Sequence, residues 1–226
     1  MEKSENYIQI IELIKNKASL KQEIYRNTLA AFNELKNCGH KLINDLIGEM
    51  NQFDKDVLIE CSENGDFEFS LKIGGDIIMF HMHTNVFDFH PDHAMFKTTY
   101  VKEDRDRSYC GMINIYNFLA DSAKYHRYED TGYLIGRIFI NSEKHYFVEG
   151  RRKLNFIHND FINEVIDSKA IYDVIEHAII YSMGFDLLTP PYKEVQEIRV
   201  GQLMNESSKM MLKTAKRMGY KFSFED

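Results

Sequence analysis

Residues 66–83 read DFEFSLKIGGDIIMFHMH. On both sides of Gly74-Gly75, apolar and polar side chains alternate with the period of two that belongs to a half-buried strand. A Gly-Gly step between two such runs suits the positive φ angles of a two-residue hairpin turn. That turn fixes a register in which Leu71 faces Ile78, Phe69 faces Phe80 and Phe67 faces Met82, one continuous apolar face. On the other face Lys72 meets Ile77, Ser70 meets Met79, Glu68 meets His81 and Asp66 meets His83. Both histidines are therefore expected to lie against a carboxylate.

Outward from this hairpin the same period runs from Val57 to Glu149. GYLIGRIFI (132–140) and HYFVEG (145–150) form a second predicted hairpin through Asn141-Ser142-Glu143-Lys144. MFKTTYV (95–101) and GMINIYNFL (111–119) read as strands separated by the charged loop KEDRDR. The period predicts an antiparallel sheet of about six to eight strands.

Helical spacing precedes the sheet. Tyr7, Ile10, Ile11, Ile14 and Ala18, then Tyr25, Leu29, Phe32 and Leu35, then Ile43, Leu46, Ile47 and Met50 each make one apolar stripe. Ser19 with Gln22 fits a capping box that would start a second helix, and Asn37-Cys38-Gly39 offers a C-cap before a third. Three helices and one long bent helix both satisfy this pattern. After the sheet, Ile171, Val174, Ile175, Ala178 and Ile179 predict a helix with Asp167 or Ser168 as N-cap and Gly184 as stop. Thr189-Pro190-Pro191 breaks the chain. A last helix is expected to end near Gly219, with Lys213, Lys216 and Arg217 at its negative dipole end. The expected fold is a single α+β domain over 1–226: helices in 1–53, a central antiparallel sheet in 54–150 and helices in 151–226.

The 226 residues carry 44% hydrophobic and 28% charged side chains, the balance of a folded chain with a substantial core. The net charge of -7 is concentrated, with 15 acids against 8 bases in residues 51–130. An acidic middle disfavours general nucleic-acid binding and favours cations as visitors. No stretch has the apolar length of a membrane span, and Glu12 and Lys15 interrupt what would be a signal peptide, so a cytoplasmic location is expected. Cys38, Cys61 and Cys110 are widely spaced and read as reduced thiols.

Residues 80–93, FHMHTNVFDFHPDH, hold four histidines and two aspartates. A His-x-His step in a strand sets two imidazoles on one side about 7 Å apart, which suits two ligands of one ion. His81 and His83 with Glu68, Asp66, Asp88, His90 and His93 are the candidate ligand set, and mixed imidazole and carboxylate donors point to zinc, iron or manganese. The bland alternative makes these ordinary residues of a half-solvated face and of a His90-Pro91-Asp92-His93 turn. The spacing Gly75, five residues, His81-Met82-His83 resembles the opening of the first cupin motif, with Asp88 near the motif's glutamate. The closing glycine and the proline-glycine second motif are missing.

Arg137, read as sharing a face with Tyr133, Ile135 and Phe139, is expected to pair with a buried acid or to await an anion, with Arg151 and Arg152 nearby. Lys209, Lys213 and Lys216 form a basic stripe that a solvated helix face explains. Phosphate-loop, dinucleotide and serine-elbow motifs do not occur. The leading expectation is therefore a non-catalytic ligand- or protein-binding module, a homodimer through its helices. Its rival is a metal-dependent enzyme built on His81 and His83.

Overall fold

The Gly74-Gly75 turn pins the architecture. In the computed structural model, which describes residues 3–50, 52–150, 159–189, 191–197 and 199–201, Gly74 has φ +56° and takes the left-handed conformation alone. Strands β2 (Glu68–Ile73) and β3 (Asp76–Met82) pair across it with Leu71 opposite Ile78, Phe69 opposite Phe80 and Glu68 opposite His81. That is the register expected from the alternation. Phe69, Leu71, Ile78, Phe80 and Met82 are buried.

Four more strands complete a six-stranded antiparallel sheet in which spatial order follows chain order. They are β1 (Ile59–Glu63), β4 (Gly111–Leu119), β5 (Tyr133–Ile140) and β6 (Tyr146–Gly150). A bulge sits between β4 and β5: Ile115 pairs with Gly136 but Tyr116 pairs with Leu134. The extra residue, Ile135, joins Ile138 and Ile140 in the main core, so it does not share a face with Arg137 and Phe139 as strict alternation implied.

One long helical run covers one face. α1 (Glu5–Leu13) passes through a π-helical segment (Ile14–Ala18) into α2 (Ser19–Met50). Ser19 is not an N-cap, because its backbone is helical and its hydroxyl donates to the Ile14 carbonyl at 3.3 Å. Gly39 does not end the helix either. A Cβ there would lie 2.4 Å from Cε1 of Phe69, so glycine is what lets α2 lie on β2. Phe32, Leu35, Leu42 and Ile43 of α2 and Ile171, Val174, Ile175 and Ala178 of α5 (Ser168–Met183) fill the same core over the sheet. Asp167 caps α5 by accepting from the Ala170 amide at 2.7 Å, and Gly184 follows its end.

Among the described residues the opposite face is covered only in part. The chain between β3 and β4 folds back over β5 and β6, where Met95, Tyr100, Val101, Phe139, Phe147 and Phe161 form a second core. Residues 95–101 are not a strand. They form a 3-10 turn (Ala94–Lys97) and a short helix α3 (Thr99–Glu103), because Thr98 caps both: its hydroxyl donates to the Met95 carbonyl at 2.6 Å and accepts from the Val101 amide at 3.4 Å. The expected KEDRDR loop is likewise turned, into a 3-10 segment (Arg105–Ser108) capped by Asp104. A short α4 (Ala120–Lys124) joins β4 to β5, and α6 (Tyr192–Val195) follows the proline break. The last expected helix, with Lys209, Lys213, Lys216 and Gly219, lies outside the described residues.

Candidate functional site

The histidine stretch resolves into local roles. His81 faces Glu68 across the hairpin, but the ladder stops there. Met82 still donates to the Phe67 carbonyl and His83 to the Met112 carbonyl in register, but Asp66 precedes β2 and His83 follows β3, so no ladder pair joins them. The Asp66–His83 facing is not formed, and Asp66 is exposed.

Each of the other three imidazoles serves the backbone two residues on. Nδ1 of His83 accepts from the Asn85 amide at 3.0 Å, His90 from Asp92 at 3.4 Å and His93 from Met95 at 3.4 Å. These bonds act as Asx-type turns do, closing tight bends along 83–95. His93 also packs its ring 4.7 Å from that of Phe89, while His83 sets its ring against Phe87. Asp88 accepts from the Ser108 hydroxyl at 2.7 Å and pairs with Arg105 at 3.4 Å, which ties the two ends of the excursion together. Among the described residues no group of three or more His, Cys, Asp or Glu side chains is placed to hold a metal ion. The seven candidate ligands are thus spread over two strands, the bends that follow or precede them and a helix cap.

Arg137 lies in a polar row that crosses the outer face of the sheet: Glu68, His81, Asn114, Arg137 and Glu149 occupy successive strands in register. Its Nε donates to Glu149 at 2.8 Å and Nη2 reaches the same oxygen. The expected pair exists, but it is open rather than buried, with the two side chains 37% and 51% exposed. Such a cross-strand pair contributes at most about 1 kcal/mol. Arg151 and Arg152 lie outside the described residues.

Two clusters had no signal in the spacing of the sequence. In the first, the Tyr100 hydroxyl donates to Glu143 at 2.7 Å and accepts from Asn141 at 2.9 Å, while Arg107 donates to Glu143 at 3.0 Å. This network clamps the covering excursion to the β5–β6 turn. Burial pushes the Tyr100 hydroxyl above its ordinary range, and the bond from Tyr100 holds Glu143 below the usual carboxylate range.

The second cluster occupies the seam between α2 and β1, one of the two edge strands of the sheet among the described residues. Sγ of Cys61 lies 2.9 Å from Nδ1 of His40, whose Nε2 lies 2.9 Å from Oε1 of Glu63. The second Glu63 oxygen accepts from Lys36 at 2.8 Å. Lys36 and His40, one helical turn apart, face Cys61 and Glu63, which alternate onto the helix side of β1. Lys36 and His40 hold the Glu63 carboxyl below its ordinary range.

The N-terminal helix presents a different kind of surface. Tyr7, Ile8, Ile10, Leu13 and Ile14 stand 43–54% exposed, and α1 buries none of its residues. Among the described residues the first buried one is Ile24. No described helix is long and apolar enough to cross a membrane. The chain matches no family model, no curated protein and no solved structure.

Proposed function

We propose that this chain is a protein-binding module whose docking element is α1 and whose first partner is a second copy of itself. The observation that carries the reading is the apolar stripe of α1, held in solvent on a helix that α2 anchors only from Ile24 onward. Between Glu5 and Glu23 the helix runs about 28 Å, at 1.5 Å per residue, before the core begins. Isolated helices of that length are marginal in water, and an amphipathic face of this kind gains its stability from whatever covers it.

The spacing of the stripe favours a second copy as the occupant, because Tyr7, Ile10, Ile11 and Ile14 are placed symmetrically about its middle. Antiparallel pairing about Ile10 and Ile11 lays Tyr7 of one copy near Ile14 of the other and Ile10 near Ile11. A two-fold axis makes every such contact twice, which is how a single patch becomes self-complementary.

Sedimentation equilibrium of the full chain tests this directly. The expected result is a dimer in the micromolar range, with Ile10→Asp and Ile14→Asp each raising its Kd by roughly thirty-fold or more, the effect of about 2 kcal/mol at a buried anchor. A wild-type chain that sediments as a monomer throughout that range overturns the reading.

A further inference from the structure

Independently of that surface, we propose that Cys61, His40 and Glu63 form a nucleophilic thiol site that accepts an acyl group from an activated ester or thioester. A thiol becomes an efficient nucleophile when a base within hydrogen-bond reach takes its proton and a third group orients that base. All three parts are in place: 2.9 Å from Sγ to Nδ1, 2.9 Å from Nε2 to Glu63, and 2.8 Å from Glu63 to Lys36. With Nε2–H donated to the carboxylate, the lone pair of Nδ1 is directed at the sulfur.

A merely structural bond between α2 and β1 would need one nitrogen of His40; here both are engaged. The imidazole packs one side against buried Phe69, with ring centroids 5.3 Å apart, and is still 44% exposed, so the sulfur and its base can be reached from solvent. Cys61 is itself partly exposed. Burial first and the Glu63 charge second push the Cys61 thiol above its ordinary range. The sulfur therefore keeps its proton near neutral pH, and the base is needed at the moment of attack rather than before it.

The step balances without an oxidant. As Sγ bonds to the acyl carbon, its proton passes to Nδ1 of His40, and Glu63 compensates the imidazolium charge. The bond from the acyl carbon to the departing oxygen or sulfur then breaks, and the proton moves from Nδ1 to that atom. The products are S-acyl Cys61 and a free alcohol or thiol.

The same molecule holds an internal control. Cys38 is also a free thiol with its pKa pushed up by burial, but its neighbours are Glu34 at 3.8 Å and the Ser168 carbonyl at 3.7 Å, with no imidazole. The full chain is treated with 4-nitrophenyl acetate, following 4-nitrophenolate release and mapping acetyl groups by peptide mass. Acetylation is expected at Cys61 far ahead of Cys38, and at neutral pH faster than that of an unstructured cysteine peptide, although the Cys61 thiol holds its proton more tightly than usual. His40→Ala should slow it by roughly a hundred-fold or more. Glu63→Gln should slow it by less than His40→Ala does, because the carboxylate acts only by orienting the imidazole and compensating its charge. Equal rates at Cys61 and Cys38, or acetylation of Cys61 at neutral pH no faster than that of an unstructured cysteine peptide, overturns the proposal without relying on any variant to fold.

Discussion

The long N-terminal helix is two helices in energetic terms. From Ile24 to Ile43 nearly every turn buries a residue against the sheet or α5, including Phe32 at 0% and Leu35 at 1% exposure. From Tyr7 to Ile14 the apolar spacing is the same, yet those side chains stand about half exposed. Periodicity reports that a helix has an apolar face; it does not report what covers that face. The junction between the halves is marked by the π-helical segment Ile14–Ala18, where Ser19 bonds back five residues to Ile14.

The sharpest way to break this contrast is to delete the same kind of side chain from each half. Phe32→Ala removes a fully enclosed ring and should cost about 3–5 kcal/mol of stability in urea unfolding. Ile10→Ala removes an exposed aliphatic side chain, and the stability of the monomer should change by no more than about 0.5 kcal/mol. Equal losses from the two variants at monomeric concentrations would show that α1 is already covered within one chain.

Glycines sharpen the comparison at smaller scale inside α2. Gly39→Ala drives a Cβ to 2.4 Å from Cε1 and 2.6 Å from Cζ of the buried Phe69 ring. Overpacking of that kind should destabilise by about 1–3 kcal/mol, outweighing alanine's better helix propensity. Gly48, on the same helix, has nothing within 4 Å of its ideal Cβ. Gly48→Ala should therefore stabilise by about 0.5–1 kcal/mol. Opposite signs from one substitution, read as the shift in thermal midpoint, would separate the face lying on the sheet from the face in water.

Gly39 also shows where sequence reasoning stops. The β2–β3 register was legible because turn chemistry and alternation agree over a dozen consecutive residues, and α5 was legible because Asp167 and Gly184 bracket a clean helical period. Gly39 looked like a helix stop because glycine's conformational freedom is visible in sequence, while the Phe69 ring that requires it is thirty residues away. MFKTTYV looked like a strand because its β-branched and aromatic residues suit one; the Thr98 cap, worth about 1 kcal/mol, and packing on Phe139 and Phe147 decided otherwise. The Cys61–His40–Glu63 cluster had no legible spacing at all, since it exists only once α2 lies across β1. The histidine stretch shows the reverse case. A striking local composition proved, at three of its four imidazoles, to be occupied with backbone amides close in sequence.

The smallest expected effect tests how the covered half of the helix is fastened at its side. Glu34 accepts from the Ser168 hydroxyl at 2.6 Å, joining α2 to the start of α5, and that bond is the main reason its carboxyl is held below the ordinary range near 4.5. A carboxyl with a lowered folded-state pKa binds its proton more weakly when folded than when unfolded. Its contribution is therefore complete above the unfolded pKa and is lost as pH falls through the folded one. At this partly solvated site the contribution is at most about 1 kcal/mol. Wild type should lose more stability than Glu34→Gln as pH is lowered from 6 through about 4.5 and below, and Ser168→Ala should fall between them because it removes the largest cause of the shift. Parallel stability curves for wild type and Glu34→Gln across that window would mean that the α2–α5 seam is held by its apolar residues alone, so that only packing separates the covered half of the helix from the bare one.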